Sequence, residues 1–273
     1  MQAPVVHPAP ANAILLREDV GPIAVLTLNR PDARNSLSQD LLAALGTELA
    51  TIADDSSVRA VVVAANGPAF CAGHDMREMT GRRSDPDGGR AFFDRLMDQC
   101  STVMQAIVHL PQPMIAAVQG VASAAGCQLV ASCDLAVASA AAGFCTPGVH
   151  IGLFCSTPMV ALSRNVAPKH AMEMLLTGDT VSAEEARRIG LVNRVVAPGR
   201  ERDEAIALAE QIASKSSATL KLGKQAFYAQ VEMNLADAYR YASRVMVENM
   251  MLHDAAEGIE AFLEKRDPVW EDR

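Results

Sequence analysis

Aromatic residues are scarce in this chain of 273 residues, at 4 % of the total with a single tryptophan. The apolar half of the composition rests on alanine, valine and leucine, which suits a close-packed α/β protein. Basic residues are also short, 24 against 32 acidic ones, for a net charge of −8. That balance argues against general nucleic-acid or anionic-membrane binding, so a polyanionic ligand has to be met by a local basic cluster. No apolar run is long enough to span a bilayer. None of the six cysteines forms a CxxC pair, and the His, Cys, Asp and Glu residues show no metal-ligand spacing. The cysteines read as reduced, mostly buried thiols of a cytosolic chain. The first residues, MQAPVVHPAPANA, lack the basic region and apolar core of a secretion signal and the arginines of a mitochondrial presequence. A cytoplasmic protein is therefore expected, with residues 1–12 as a loose, proline-rich tail.

The length suits one large domain with an appendage. Short strands are expected at 13–18 and 23–28 around Gly21-Pro22, and Ser38 caps a helix from Gln39 to about Ala53. VRAVVVA at 58–64 is a strand buried on both faces. A loop follows at 65–75, another at 81–89, and a long helix runs from 89 to 109. Residues 142–153 read as irregular. Strands and helices alternate to about residue 200, and helices alone follow. The expected organisation is an α/β core over 13–200 and a helical region over 201–273.

One stretch organises the rest: Ala116 to Asp134, AAVQGVASAAGCQLVASCD. It reads as the end of a buried strand, a turn at Gln119-Gly120, small residues, and the start of a helix. Free N–H groups at a helix start favour an anion, or an oxygen that becomes anionic during a reaction, and small side chains let a ligand approach. A plainer reading is a helix packed so tightly against a sheet that only small residues fit. The loop Gly67 to Met76, containing AFCAGHDM, is a second junction of small residues and exposed backbone. Two such loops can aim two N–H groups at one oxygen, as is needed to hold a thioester carbonyl and the oxyanion made from it.

AFCAGHDM, the AAVQGVASAAGCQLVASCD segment and FCTPGVHIGL, in this order and spacing, resemble the crotonase superfamily, the enoyl-CoA hydratase/isomerase fold. EGIEAFLEKR resembles its last helix. The resemblance implies a spiral of ββα units with a C-terminal helical trimerisation region, and an acyl-CoA or enoyl-CoA substrate. Coenzyme A enters as part of that substrate, with no permanently bound cofactor and no metal. It also implies a homotrimer, or a homohexamer of two stacked trimers. By motif position the oxyanion-hole donors are the backbone N–H groups of His74 and Ala125. Ala33, Arg34, Ala72, Asp75 and Met76 match positions that bind coenzyme A. Phe262 and Lys265 match residues that reach its adenine and ribose phosphate, often across a subunit boundary.

Hydration of an enoyl thioester needs one carboxylate to activate water and another to deliver a proton. The hydratase positions for these are occupied here by Gln128 and Gly148. Gln128 can hold a water through its amide but cannot exchange a proton near neutral pH. His150 is the nearest substitute base; its plain alternative is a turn histidine bonded to backbone. Cys155 reads as a buried small hydrophobe rather than a nucleophile. The expected activity is of the enoyl-CoA hydratase type. The alternatives are another acyl-CoA reaction (isomerisation, decarboxylation or thioester hydrolysis) or a non-catalytic acyl-CoA-binding scaffold.

Overall fold

The structure, a computed structural model, describes residues 4–10 and 12–273. Strand β1 (Val5–Val6) pairs antiparallel with β2 (Leu15–Val20), and His7 Nε2 lies 2.7 Å from Asp19 Oδ2. Part of the expected loose tail is thus tied to the sheet edge, because alternate backbone groups of β2 were open to pairing. The rest of that expectation, at residues 1–3 and 11, lies outside the described residues. Strand β3 (Ile23–Leu28) completes the hairpin, with Gly21 at φ 58° in the turn.

Helix α1 (Gln39–Asp54) starts where expected: Ser38 Oγ accepts the Leu41 N–H at 3.3 Å. Its Leu41, Leu42, Leu45, Leu49 and Ile52 are buried, the stripe that a 3.6-residue period lays on one face. Three ββα units follow. The first is β4 (Ala60–Ala65), β5 (Ala69–Cys71), α2 (Met76–Gly81) and α3 (Arg90–His109). The second is β6 (Met114–Val118), β7 (Val121–Ser123) and α4 (Ala125–Ser132). The third is β8 (Leu135–Ser139), β9 (Gly143–Cys145), α5 (Ser156–Asn165) and α6 (Pro168–Thr177). Then come β10 (Val181–Ser182), α7 (Ala183–Arg188) and β11 (Arg194–Val196).

The first strand of each unit joins a seven-stranded sheet, order β1-β2-β3-β4-β6-β8-β11, parallel from β3 onward. The second joins a four-stranded sheet, order β10-β9-β7-β5. This is the expected spiral of ββα units. Strands β5 and β9 fall in segments expected to be loop and irregular. At three fully buried residues each, they are too short to show a period. The expected loop at 81–89 begins with the end of α2. Arg82 and Arg83 stack on Phe92 and Phe93, with guanidinium carbons 5.2 and 5.9 Å from the ring centres.

The large sheet is covered on both faces, so its central strands are apolar throughout. Ala24, Leu26, Val61, Val63, Met114 and Ala116 face α1, α3 and α4. The alternate residues Ile23, Val25, Val62 and Ile115 face α8 (Glu201–Ala213) through Ala205, Ile206 and Ala209. Beyond α8 the chain is helical as far as Glu264, in α9 (Ser217–Gln230), α10 (Leu235–Met250) and α11 (His253–Glu264), whereas residues 265–273, expected within the helical region, are not helical. Neither α9 nor α10 has a fully buried residue, and α10 exposes Leu235, Tyr239, Met246, Val247 and Met250.

Candidate active site

The two small-residue junctions meet. A Cβ placed on Gly126 would lie 2.2 Å from the Cys71 carbonyl oxygen, so the first turn of α4 rests directly on the end of β5. Gly73, at φ 94°, faces Ala124 and Ala125: its Cβ would lie 3.0 Å from Ala124 Cβ and 3.4 Å from Ala125 N. The AFCAGHDM loop therefore runs along the start of α4. Both readings of the small-residue run apply, at different positions. Gly126 is required by crowding, while Ala125 next to it presents backbone.

Among the described residues, neither the His74 N–H nor the Ala125 N–H has a hydrogen-bond partner. Several flanking groups are engaged. Leu37 N–H donates to Gly73 O at 2.8 Å and Asp75 N–H to Leu37 O at 3.2 Å. On the other side Ala124 N–H donates to Cys145 O at 2.9 Å and Gln128 N–H to Ala124 O at 3.0 Å. Held between those bonds, Ala124 adopts φ 49°, ψ −116°. An alanine pays on the order of 1–3 kcal/mol for such a conformation, and strain of this kind collects where backbone must be aimed. Two unpaired donors on loops in contact are the kind of backbone arrangement an oxyanion hole requires.

The loop before α1 braces this corner. Asn35 is fully buried at φ 54°; its Nδ2 donates to Asn66 O and Ala69 O, and its Oδ1 accepts the Arg30 N–H. Arg34 O accepts the Ala72 N–H at 3.0 Å, which brings Ala33, Arg34 and Ala72 side by side. Arg34, Ala72 and Met76 are exposed, as a coenzyme-binding surface requires. Asp75 is not free in that sense. It caps α2 through Arg77 N and Glu78 N and pairs with Arg30 at 3.0 Å. Burial opposes its ionisation, but the Arg30 guanidinium and these N–H groups hold its carboxyl below the usual range. Asp75 thus acts as a strut. Asn35 escaped the sequence reading; the turn-forming NRPDARN around it was the available signal.

Among the described residues, the side chains that the sequence offered for proton transfer here are packed, uncharged or bonded elsewhere. Both His74 ring nitrogens are buried without a hydrogen-bond partner, and burial pushes the imidazole below its ordinary value, opposed in part by the Leu37 backbone. The His74 ring is thus packed and disfavours a charge. Gln128 is buried on the first turn of α4, with Oε1 unpartnered. A Cβ at Gly148 would lie 2.8 Å from Leu153 O and 3.0 Å from Cys155 Sγ. The turn that returns Leu153 N–H to Gly148 O thus closes the place where hydratases carry a carboxylate. His150 is exposed, and its Nε2 is bonded to Thr177 O at 2.8 Å. This is the bond that the turn-histidine alternative calls for. All six cysteines are buried and free. Burial raises the Cys155 thiol, and it pushes those of Cys71 and Cys100 up to about 12. Among the described residues no group of His, Cys, Asp and Glu is placed to hold a metal.

Phe262 and Lys265 are exposed on the last turn of α11, which packs on α9 and α10. Among the described residues, neither is hydrogen-bonded to the loops that carry His74 and Ala125. Arg266 is not a free cation, since Glu257 and Glu264 take its guanidinium at 2.6 and 2.8 Å.

Residues 18–273 match the family model described as enoyl-CoA hydratase/isomerase, and the chain belongs to that family. Within it, the chain is 46 % identical over 245 residues to rat enoyl-CoA hydratase domain-containing protein 3, mitochondrial, covering 90 % of this chain and 80 % of that one. The probable enoyl-CoA hydratase of Rhizobium meliloti is 36 % identical, covering 95 % and 98 %. The crystal structure of an enoyl-CoA hydratase from Mycobacterium smegmatis superposes with a TM-score of 0.90 at 53 % identity, covering 95 % and 99 %. That of human enoyl Coenzyme A hydratase domain-containing protein 3 does so at 0.90 and 44 %, covering 94 % and 100 %. The strings AAGCQLVASCD, TPGVHIGLFCSTP and DPVW had suggested this last resemblance. The cytoplasmic expectation is corrected. The rat, mouse, human and zebrafish relatives are all named mitochondrial. Buried reduced thiols do not separate one reducing compartment from another.

Proposed function

We propose that this protein binds an acyl-CoA thioester and acts on it as a lyase of the enoyl-CoA hydratase type. The thioester carbonyl sits between the N–H groups of His74 and Ala125, which stabilise the negative charge that develops on its oxygen. The observation that carries this reading is the pair of unpaired donors on loops joined at Gly73, Ala124 and Gly126. Removing one donor of such a pair typically lowers turnover by about 10²–10³-fold. Ala33, Arg34, Ala72 and Met76 hold the coenzyme A portion, with Asp75 as their brace and coenzyme A arriving only as part of the substrate. Gln128, with an unpartnered amide oxygen, positions a water or the acyl group through hydrogen bonds rather than by proton exchange.

The exposed apolar residues of α10 favour assembly as a trimer, or as two stacked trimers, and α11 then offers Phe262 and Lys265 to a neighbouring site. Neither nucleic acid nor membrane belongs in this reading. No helix among the described residues is long and apolar enough to cross a bilayer.

The closed turn at Gly148 favours a second reading, in which the protein holds acyl-CoA and performs another thioester reaction, or none. Purified protein is to be offered crotonyl-CoA, longer enoyl-CoAs and saturated acyl-CoAs, with binding and products both measured. Hydration that survives Gln128→Ala removes Gln128 from the chemistry. Tight binding without turnover across the panel refutes the lyase and leaves the binding protein. Failure to bind any acyl-CoA refutes both.

A further inference from the structure

The chain does not stop at α11. Residues 267–273 turn back across the molecule and are held by a group of bonds centred on Asp254, in the first turn of α11. Asp254 is 2 % exposed. Its carboxylate accepts the N–H groups of Glu271 at 2.8 Å and Asp272 at 3.0 Å, and its own N–H donates to Arg273 O at 3.0 Å. A carboxylate this deep is tolerated only when it is so satisfied. Further along, Val269 N–H donates to Glu257 at 2.7 Å. The Trp270 ring lies against Gly258, where a Cβ would come within 3.1 Å of it, and Trp270 Nε1 donates to Ser214 O at 2.9 Å. Asp272 pairs with Arg59 at 3.0 Å and accepts the Ser217 N–H at 2.7 Å.

These bonds reach past α9 and α10, the helices on which α11 packs, to the end of α8 and the residue before β4. The segment does not lie on packed core there. Its last two residues, Asp272 and Arg273, line a hollow of about 740 Å³ together with Val58, Gln112 and Leu252. Its hold is therefore mainly polar, so one lost bond is not made good by apolar burial.

We propose that residues 267–273 form a clasp that fixes where α11 is presented, with Asp254 as its positioning residue, and that the clasp thereby sets how tightly acyl-CoA is held. The second half rests on the proposed function, because Phe262 and Lys265 lie on the last turn of the clasped helix. Asp254 touches no substrate and acts through α11.

Trp270 is the only tryptophan, so its fluorescence reports the clasp without recourse to activity. In the 273-residue chain, Asp254→Ala shifts Trp270 emission toward that of a solvated indole and speeds tryptic cleavage after Arg266. Its Kd for crotonyl-CoA rises about tenfold, a difference near 1.4 kcal/mol, while turnover at saturation changes less than about twofold. Asp254→Glu, which keeps the carboxylate, recovers part of both signals. If Asp254→Ala fails to fold, Asp272→Ala removes an exposed anchor and shows the same changes to a smaller degree. Unchanged Trp270 emission in both alanine variants overturns the clasp. A released clasp with unchanged Kd overturns its role in binding while leaving the oxyanion corner intact. Wild-type protein that binds no crotonyl-CoA refutes the acyl-CoA reading itself, and the binding role of the clasp with it.

Discussion

The two ends of α4 are built on opposite rules. At its start, Ala124 is strained, Ala125 N–H is unpaired, and no charged side chain is free to intervene. Just past its other end, Asp134 is saturated. It accepts the Met114 N–H at 2.7 Å, the Lys224 ammonium at 2.7 Å and the Tyr228 hydroxyl at 2.9 Å. Lys224 also donates to Ile107 O and Gln112 O. Burial and then the adjacent Asp134 charge push the Tyr228 phenol upward, so it stays a donor. One end is left incomplete so that something else completes it; the other anchors α9 and tolerates no gap. A helix of eight residues can keep a strained, unpaired start because its far end is tied down.

The sharpest test of this contrast is at the closed end. Lys224→Met leaves the Asp134 carboxylate without its cation and is expected to lower stability by about 3–5 kcal/mol in denaturant melts. The variant that remains folded should still bind acyl-CoA. At the open end, Gly126→Ala forces a Cβ into the Cys71 carbonyl. An expected cost of about 2 kcal/mol should come with loss of acyl-CoA binding in titration calorimetry, because the two N–H groups move apart. Equal losses of binding in both variants would erase the distinction between the ends.

Acid separates them more gently. His74, beside the open end, is held neutral by burial, so its folded pKa lies below the unfolded one. Its contribution to stability is complete above about pH 6.5 and falls as the pH drops from there through the depressed folded value. The melting temperature of His74→Gln should fall less over that window than that of the wild type. The smallest effect is expected at His150, bonded on the surface away from the hole. His150→Ala should change stability by less than about 1 kcal/mol and leave turnover unchanged.

Much of the fold was legible because it obeys local rules. Ser38 announces α1, the apolar stripe at 41, 42, 45, 49 and 52 gives its face, and VRAVVVA gives a strand covered on both sides. What could not be read is what long separations bring together. Asp134 and Lys224 stand 90 positions apart, and nothing near either one names the other. The same limit applies to the site. Motif order pointed to His74 and Ala125, but only the meeting of Gly73 with Ala124, and of Gly126 with Cys71, gives that pair a geometry. The type of His150 suits catalysis, while its bond to Thr177 O depends on a distant turn that no local pattern names. The compartment was misjudged for a different reason: thiol burial follows from packing and carries no address.

The buried thiols have one more use. No cysteine is exposed, and burial raises the thiols of Cys71, Cys100, Cys127, Cys133 and Cys155, so reagents that attack thiolate find little to modify in the folded chain. Each modification must wait for a piece of the structure to open, which makes the chain its own clock for local unfolding. Cys155, beside the Gly148 turn, should mark time fastest. Cys71, under the first turn of α4, should report the opening of the hole itself, and a bound thioester should slow it without touching the sulfur.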